Sequence, residues 1–454
     1  MHENCAAESI VGVGKLIKES TSCTRPQLRK HYQIGEIVMT ERMVLAYSGG
    51  LDTSVAIPWI KEKYGAEVIT VTADVGQGDD FQAIEKKALK AGAVKHYYFD
   101  LKDEFAKDYV FAGIKANVLY EGKYPLSTAL ARPLIVEKLV EVARKEKAGT
   151  VAHGCTGKGN DQVRFDVGVK SLAPELKITA PIREWNMTRA EEIKYADQRG
   201  IPVPVTLQSP YSIDQNLFGR SIESGVLENP NNEPPPDVYE WTVPPEKAPD
   251  QPEYLEVEFD QGKPVSLNEN PLGPARLIEN LNAIAGHHGI GRIDHLEDRL
   301  VGIKSREVYE CPAATVLLEA HRDLEKCVLT RHELYFKQQV EQQWAFLVYT
   351  GLWYDPLRQD LDAFIEKTQE RVTGVVRLKL YKGLATVVGR SSPMSLYDAN
   401  LATYEKGSKF DQMWSVGFIQ IWGLPSQVAY NVEIKRKQAP PIVYRIPNQV
   451  KVNE

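Results

Sequence analysis

Ser48-Gly49-Gly50 followed by Asp52-Thr53-Ser54 gathers small, hydroxyl-bearing residues around one carboxylate, and the chemistry open to such a set is anion binding. The two glycines let the backbone turn tightly and bring N–H groups against an oxyanion with no Cβ between them. Ser48, Thr53 and Ser54 add hydroxyl donors. Asp52 is an acceptor among donors, suited to orienting the loop or to sharing a phosphate-bound Mg²⁺. The string follows the apolar run Met43-Val44-Leu45 and opens a stretch of helical character, so a strand, a turn and a helix N-terminus meet where phosphate is favoured. Ser-Gly-Gly alone also serves in ordinary strand-to-helix turns, with Asp52-Thr53 as a cap. The whole string has Asp-Thr-Ser where a kinase-type phosphate loop has lysine, and it reads as a nucleotide-phosphate cradle.

A second cluster, His153-Gly154-Cys155-Thr156-Gly157-Lys158-Gly159-Asn160-Asp161-Gln162-Val163-Arg164, follows the strand-like Thr150–Ala152. Strand ends line one edge of a parallel sheet, so this glycine-rich loop is expected beside the first.

Holding two such loops together takes an α/β domain. From Arg42 onward, strand-like runs at Val44–Tyr47, Val68–Thr72, Val94–Phe99 and Thr150–Ala152 alternate with helical patterns, the signature of a parallel sheet covered by helices. Ile135, Leu139 and Val142, with Val136, Val140 and Ala143 beside them, predict an amphipathic helix over Leu134–Lys147. Pro58 falls inside the first helix and predicts a local kink. Thr188 and Glu191 have capping-box spacing, and Gly200 closes that helix. Near Thr206 the pattern fades, and the prolines from Pro230 to Pro252 crowd a stretch read as a long ordered loop or strap within a second domain. Hairpins are expected at Leu255–Phe259 with Pro264–Leu267 and at Val375–Leu380 with Thr386–Val388, and helices at Pro312–Val328 and Asp360–Glu370. From about Tyr404 the apolar residues Trp414, Phe418, Ile421 and Trp422 show no clear period and are best covered by another subunit.

The expected organisation is therefore a disordered or non-native extension over 1–40, with Met39 as the native start, then a nucleotide-binding domain (41–205), an α+β synthetase domain (206–403) and an oligomerisation tail (404–454). A transit peptide competes for 1–40, but Glu3, Glu8 and Glu19 count against it.

The 454 residues are 43% hydrophobic, enough for large cores, and 55 Lys+Arg against 61 Asp+Glu give a net charge of -6. No dense basic tract interleaved with aromatics is present, which argues against nucleic acid as a partner. The 5 scattered cysteines form no Cys-x-x-Cys pair and fit a reducing compartment better than a zinc site. No apolar run is long enough for a membrane helix, so a cytoplasmic protein is expected.

The Ala46 to Ser54 string resembles the pyrophosphatase loop of the N-type ATP pyrophosphatases. Tyr124 to Pro133, Tyr211-Ser212-Ile213-Asp214-Gln215-Asn216-Leu217, Gly291-Arg292-Ile293-Asp294 and Gly302 to Glu310, taken in order with both loops, are similar to the motifs of the argininosuccinate synthase family within that group. The similarity runs from about Met39 to Trp422. It implies condensation of citrulline with aspartate at the expense of ATP through a citrullyl-adenylate, with Mg²⁺, no prosthetic group and a homotetrameric assembly. It further implies that Ala46, Tyr47, Ser48, Gly49, Gly50, Leu51, Asp52, Thr53, Ser54, Ala73 and Gly154 hold ATP. Tyr124, Asn160, Arg164, Ser212, Ser221, Glu297 and Tyr309 would hold citrulline, and Thr156, Asn160 and Asp161 aspartate. Asp161 would receive the aspartate ammonium and assist its deprotonation. Ala129 departs from the family pattern, where many members have a serine that touches citrulline. A tRNA-thiolating or amidating relative would need a cysteine pair, a basic surface or a glutamine-hydrolysing domain, and none is visible. A non-catalytic ATP-binding regulator is the other alternative, which loss of Asp52, Asp161 or Arg164 would have favoured.

Overall fold

Alternation builds the first strand. In β1 (Arg42–Ala46), Met43 and Leu45 pack into one apolar cluster and Val44 into another, and all three are buried. A central strand covered on both faces requires this. The computed structural model describes residues 41–439 apart from 186 and 203–210; the expected extension over 1–40, the boundary near Thr206 and the end of the tail lie outside the described residues. Four further parallel strands, β2 (Glu67–Asp74), β3 (Lys95–Asp100), β4 (Thr150–Ala152) and β5 (Lys177–Thr179), complete a sheet of order β3-β2-β1-β4-β5. The order reverses between β1 and β4, so the segments leaving their C-terminal ends diverge around one crevice. Those segments are the two loops singled out above.

The helix Leu51–Tyr64 covers the Met43 and Leu45 face and runs through Pro58 as one element. The helix Ser127–Glu146 covers the Val44 face with Val136, Leu139 and Val140, each such side chain stabilising by about 1.5–3 kcal/mol. It starts well before the expected Leu134. Pro133 lies inside it and cannot donate to the Ala129 carbonyl. The capping box at Thr188 and Glu191 forms as expected.

The second half adds β6 (Ser212–Asn216), β7 (Gly219–Glu223), β8 (Glu253–Asp260), β9 (Lys263–Leu267), β10 (Asn270–Pro271), β11 (Arg292–Asp298), β12 (Lys304–Glu310), β13 (Gly374–Tyr381) and β14 (Leu384–Ser391). They form two antiparallel sheets, β11-β12-β7-β6 and β10-β9-β8-β13-β14, and both expected hairpins are present. Helices Pro274–His287, Pro312–Val328, Arg331–Tyr349 and Pro356–Gln369 pack with them.

The proline-crowded strap is ordered by one carboxylate. Glu310, fully buried at the end of β12, accepts from the backbone N–H groups of Glu240 (2.9 Å), Trp241 (2.9 Å) and Thr242 (2.9 Å) and from the Thr242 hydroxyl (2.8 Å). Buried Arg220 on β7 closes the ring, donating to Glu310 (3.1 Å) and to the Val238 carbonyl (2.7 Å). Proline supplies the fixed φ that such a path needs, and the remaining amide donors find a charged acceptor instead of a sheet.

The tail forms a regular element where none was periodic in sequence. Trp414–Gln438 is a single helix with no buried residue, and Trp414, Ile419, Ile421 and Trp422 are 62–75% exposed. Apolar side chains occur all round it, which is why no single stripe stood out.

Candidate active site

At the C-terminal end of β1 the chain enters the expected cradle. Gly49 has φ +76, and a Cβ there would sit 2.9 Å from Ile84 Cγ1, so glycine is required on both conformational and steric grounds. Part of the hydroxyl set is committed to holding the turn. Ser54 Oγ donates to the Gly50 carbonyl at 2.6 Å and accepts from Tyr47 Oη at 3.0 Å; burial pushes the Tyr47 phenol up to about 12. Ser48 and Thr53 hydroxyls pair at 3.2 Å. A lysine does reach this loop: Lys87, from the helix Phe81–Ala91, donates to the Gly49 carbonyl at 2.6 Å.

The second loop leaves β4 directly opposite. A Cβ on Gly154 would stand 2.8 Å from Thr53 Cγ2, so the loops touch only because this residue lacks a side chain. His153 is buried beneath it, its Nδ1 accepting from Cys155 N–H (3.2 Å) and its Nε2 facing Asp166 (2.7 Å). That bond leaves the proton on Nε2.

Two adjoining cavities open where the loops meet. The larger, about 650 Å³, is lined by Ala46, Tyr47, Ser48, Gly50, Thr53, Ala73 and Gly154 among others. Gly49, Leu51 and Ser54 lie buried behind that lining, and Asp52 faces the neighbouring cavity instead. That second cavity, about 280 Å³, brings together Tyr124, Asn160, Arg164, Ser212, Ser221, Glu297 and Tyr309 with Thr156 and Asp161. Gly154, Cys155, Asp161 and Asp214 belong to both walls. Ala129 is buried and lines neither, whereas its neighbour Thr128 lines the smaller one.

The smaller cavity is strongly charged. Asp161 accepts from Arg164 Nη1 (2.8 Å) and Arg132 Nη2 (2.6 Å), and Arg132 also binds Asp214. Although burial works against ionisation, the Arg132 and Arg164 charges hold the Asp161 carboxyl down at about 2. A carboxylate so placed is a good partner for an ammonium and a poor proton acceptor. Arg164 Nη2 is buried without a partner among the described residues, a donor left for a carboxylate. Glu297 is buried between two phenols, Tyr309 donating to one oxygen (2.7 Å) and Tyr349 to the other (2.8 Å). Tyr124 and Tyr309 stack with centroids 4.3 Å apart. Beside them Glu307 is pushed up to about 8 by burial and by the Glu223 charge, with Arg299 bridging the pair. Glu192 is likewise driven up to about 8 by burial and by the charge of Asp52 on the first loop.

Sequence reasoning missed Arg132, Asp214 and Tyr349. Arg132 carried a usable signal, a cation set in the apolar run Leu130-Ala131 before Pro133. Tyr349 carried none, because an aromatic in an amphipathic helix reads as core.

The arginine pair gives Asp161 a pH signature. Its folded value is depressed from 3.8 to about 2, so its contribution is present above pH ~4 and is lost as pH falls through ~2. Asp161→Asn is expected to lower stability at pH 7, and the gap from the parent should narrow only below pH ~4. Urea denaturation at pH 7, 4 and 3 checks this; a gap that closes already between pH 7 and 4 would contradict the pairing.

Two family models match: an arginosuccinate synthase N-terminal HUP domain over residues 42–202 and an arginosuccinate synthase C-terminal domain over residues 211–429. The argininosuccinate synthase of Pyrococcus furiosus is 61% identical over 391 residues, covering 86% of this chain and 95% of that protein. Its counterpart from Dehalococcoides mccartyi strain 195 is 59% identical over 390 residues, with 86% and 96% covered. That of Synechococcus elongatus is 58% identical over 389 residues, with 86% and 97% covered. A glycine-rich turn on a parallel sheet, opening into a charged cavity beside antiparallel strands, thus coincides with matches that span both halves, and the chain belongs to the argininosuccinate synthase family.

Proposed function

We infer that the protein is a ligase that joins L-citrulline to L-aspartate at the expense of ATP, yielding argininosuccinate, AMP and pyrophosphate in arginine biosynthesis or a urea cycle. The observation that carries the reading is the shared wall. A cavity on the phosphate loop and a smaller one rich in carboxylate and ammonium partners meet at Gly154, Cys155, Asp161 and Asp214, as is required when one amino acid attacks the α-phosphorus of the nucleotide and the second then attacks the carbon so activated.

In this reading the ureido oxygen of citrulline attacks the α-phosphorus, pyrophosphate departs against the Ser48–Ser54 turn, and a citrullyl-adenylate forms. The aspartate amine then displaces AMP. No enzyme nucleophile is needed; alignment and charge stabilisation do the work. Arg164 takes the citrulline carboxylate as a planar fork, Glu297 its ammonium, and Asp161 the aspartate ammonium. With its carboxyl held at about 2, Asp161 acts by binding that ammonium, and the deprotonating role expected for it gives way to positioning. Mg²⁺ would be carried mainly by the triphosphate, with Asp52 on the first loop as a carboxylate able to share it. Mg²⁺ would offset charge on the phosphates.

The 41–205 segment serves as the nucleotide domain and 206–403 as the synthetase domain, with Tyr124, Asn160 and Arg164 crossing over from the first. The exposed helix Trp414–Gln438 is the element for a homotetramer, and a monomer mass by light scattering would refute that assembly. Among the described residues no helix is long and apolar enough to cross a membrane, in keeping with a cytoplasmic enzyme.

The test is pyrophosphate release from Mg-ATP with citrulline and aspartate added singly and together. Release that requires citrulline, with argininosuccinate appearing only when aspartate is added, is the expected result. ATP binding without release under any combination would overturn it in favour of a non-catalytic nucleotide-binding role.

A further inference from the structure

Tyr349 closes the helix Arg331–Tyr349 and is fully buried, yet three site residues converge on it. Asn160 Nδ2 donates to its hydroxyl at 2.8 Å, and the hydroxyl in turn donates to Glu297 Oε1 at 2.8 Å. The other acceptor within reach, the Asp298 carbonyl, is more distant at 3.1 Å. Leu300 N–H donates to Asn160 Oδ1 at 2.8 Å, which fixes the amide so that nitrogen must face the phenol. The Tyr349 carbonyl accepts from Arg164 Nε at 3.0 Å, and its ring lies 5.1 Å from the Arg164 guanidinium. The ring also stacks on Tyr120, with centroids 3.5 Å apart.

We propose that Tyr349 is a positioning residue that locks the citrulline and aspartate subsites to each other, through a hydrogen-bond relay running from the Asn160 amide across one phenol to the Glu297 carboxylate. The inference rests on the substrate assignments of the preceding section, in which Glu297 serves citrulline alone and Asn160 serves both amino acids. The relay leaves Asn160 one N–H and one lone pair for ligands and holds the Glu297 carboxylate in one plane. Either subsite therefore inherits its geometry from the other. Tyr309, which donates to the second Glu297 oxygen, makes no contact with Asn160 in this chain of bonds.

The pair Y349F and Y309F separates the relay from simple support. Y349F keeps the ring, the stack and the carbonyl but removes the shared hydroxyl. It should raise KM for citrulline and for aspartate by about tenfold each, with KM for ATP and the thermal midpoint nearly unchanged. Y309F should raise KM for citrulline alone. Amino-acid KM values unmoved by Y349F, an ATP KM that rises in the same proportion, or an identical profile for both variants would each overturn the relay. Parent protein that releases no pyrophosphate with citrulline would instead overturn the substrate assignment, and the relay with it.

Discussion

Replacing Arg164 by lysine is expected to lower kcat/KM for citrulline by about two to three orders of magnitude while ATP binding stays within about twofold. The guanidinium is buried and has its position fixed twice, by Asp161 at 2.8 Å and by the Tyr349 carbonyl at 3.0 Å. Its remaining nitrogen has no partner among the described residues. A lysine ammonium is a point charge without a planar fork; it can keep the ion pair to Asp161 or reach a substrate carboxylate, but not with the same geometry. Initial rates at varied citrulline with saturating ATP and aspartate, beside a direct ATP-binding titration, measure the effect. An unchanged citrulline KM would remove Arg164 from the binding set.

The second large effect concerns stability. Glu310→Ala is expected to cost about 3–5 kcal/mol, because it leaves three strap N–H groups without their acceptor and reduces the carboxylate partners of buried Arg220 to Glu240 at 2.7 Å. Glu310 is fully buried and receives three backbone N–H groups, one hydroxyl and one guanidinium. The conservative Glu310→Gln change keeps an acceptor but loses the charge, so a smaller loss is expected. Urea denaturation compares the three proteins. Because Arg220 and Glu240 also line the larger cavity, the alanine variant should in addition weaken ATP binding. A parent-like urea midpoint for Glu310→Ala would show that the strap is held by something else.

Much of this arrangement was legible before any coordinates. The apolar pattern locates four of the five parallel strands to within two residues at each end, and Thr150–Ala152 to the residue. The two glycine-rich loops lie side by side, as expected of segments leaving neighbouring strand ends of a parallel sheet. The misses share a cause. β5, Lys177–Thr179, holds a single apolar residue, Ile178, and no glycine-rich loop follows to mark its end as one does for the equally short β4. The first turns of the helix Ser127–Glu146 hide behind Pro133, a residue tolerated there only because the surrounding core makes up for one absent bond. Tyr349 and Asp214 join the site through contacts with residues far away in sequence, which composition and spacing cannot express. The helix Trp414–Gln438 escaped because periodicity reports a buried face, and within one chain it has none.

Arg132 binds Asp161, which opens the helix Asp161–Leu172 beside the parallel sheet, and Asp214, which belongs to β6 of an antiparallel one. One rigid cation thus fastens two layers at the spot where their cavities meet. Any change in the angle between those layers, even one begun by a substitution tens of ångströms away, arrives there as a strained or broken clamp. Turnover in this molecule should therefore act as a gauge of alignment between its halves, falling before stability does when the joint is bent.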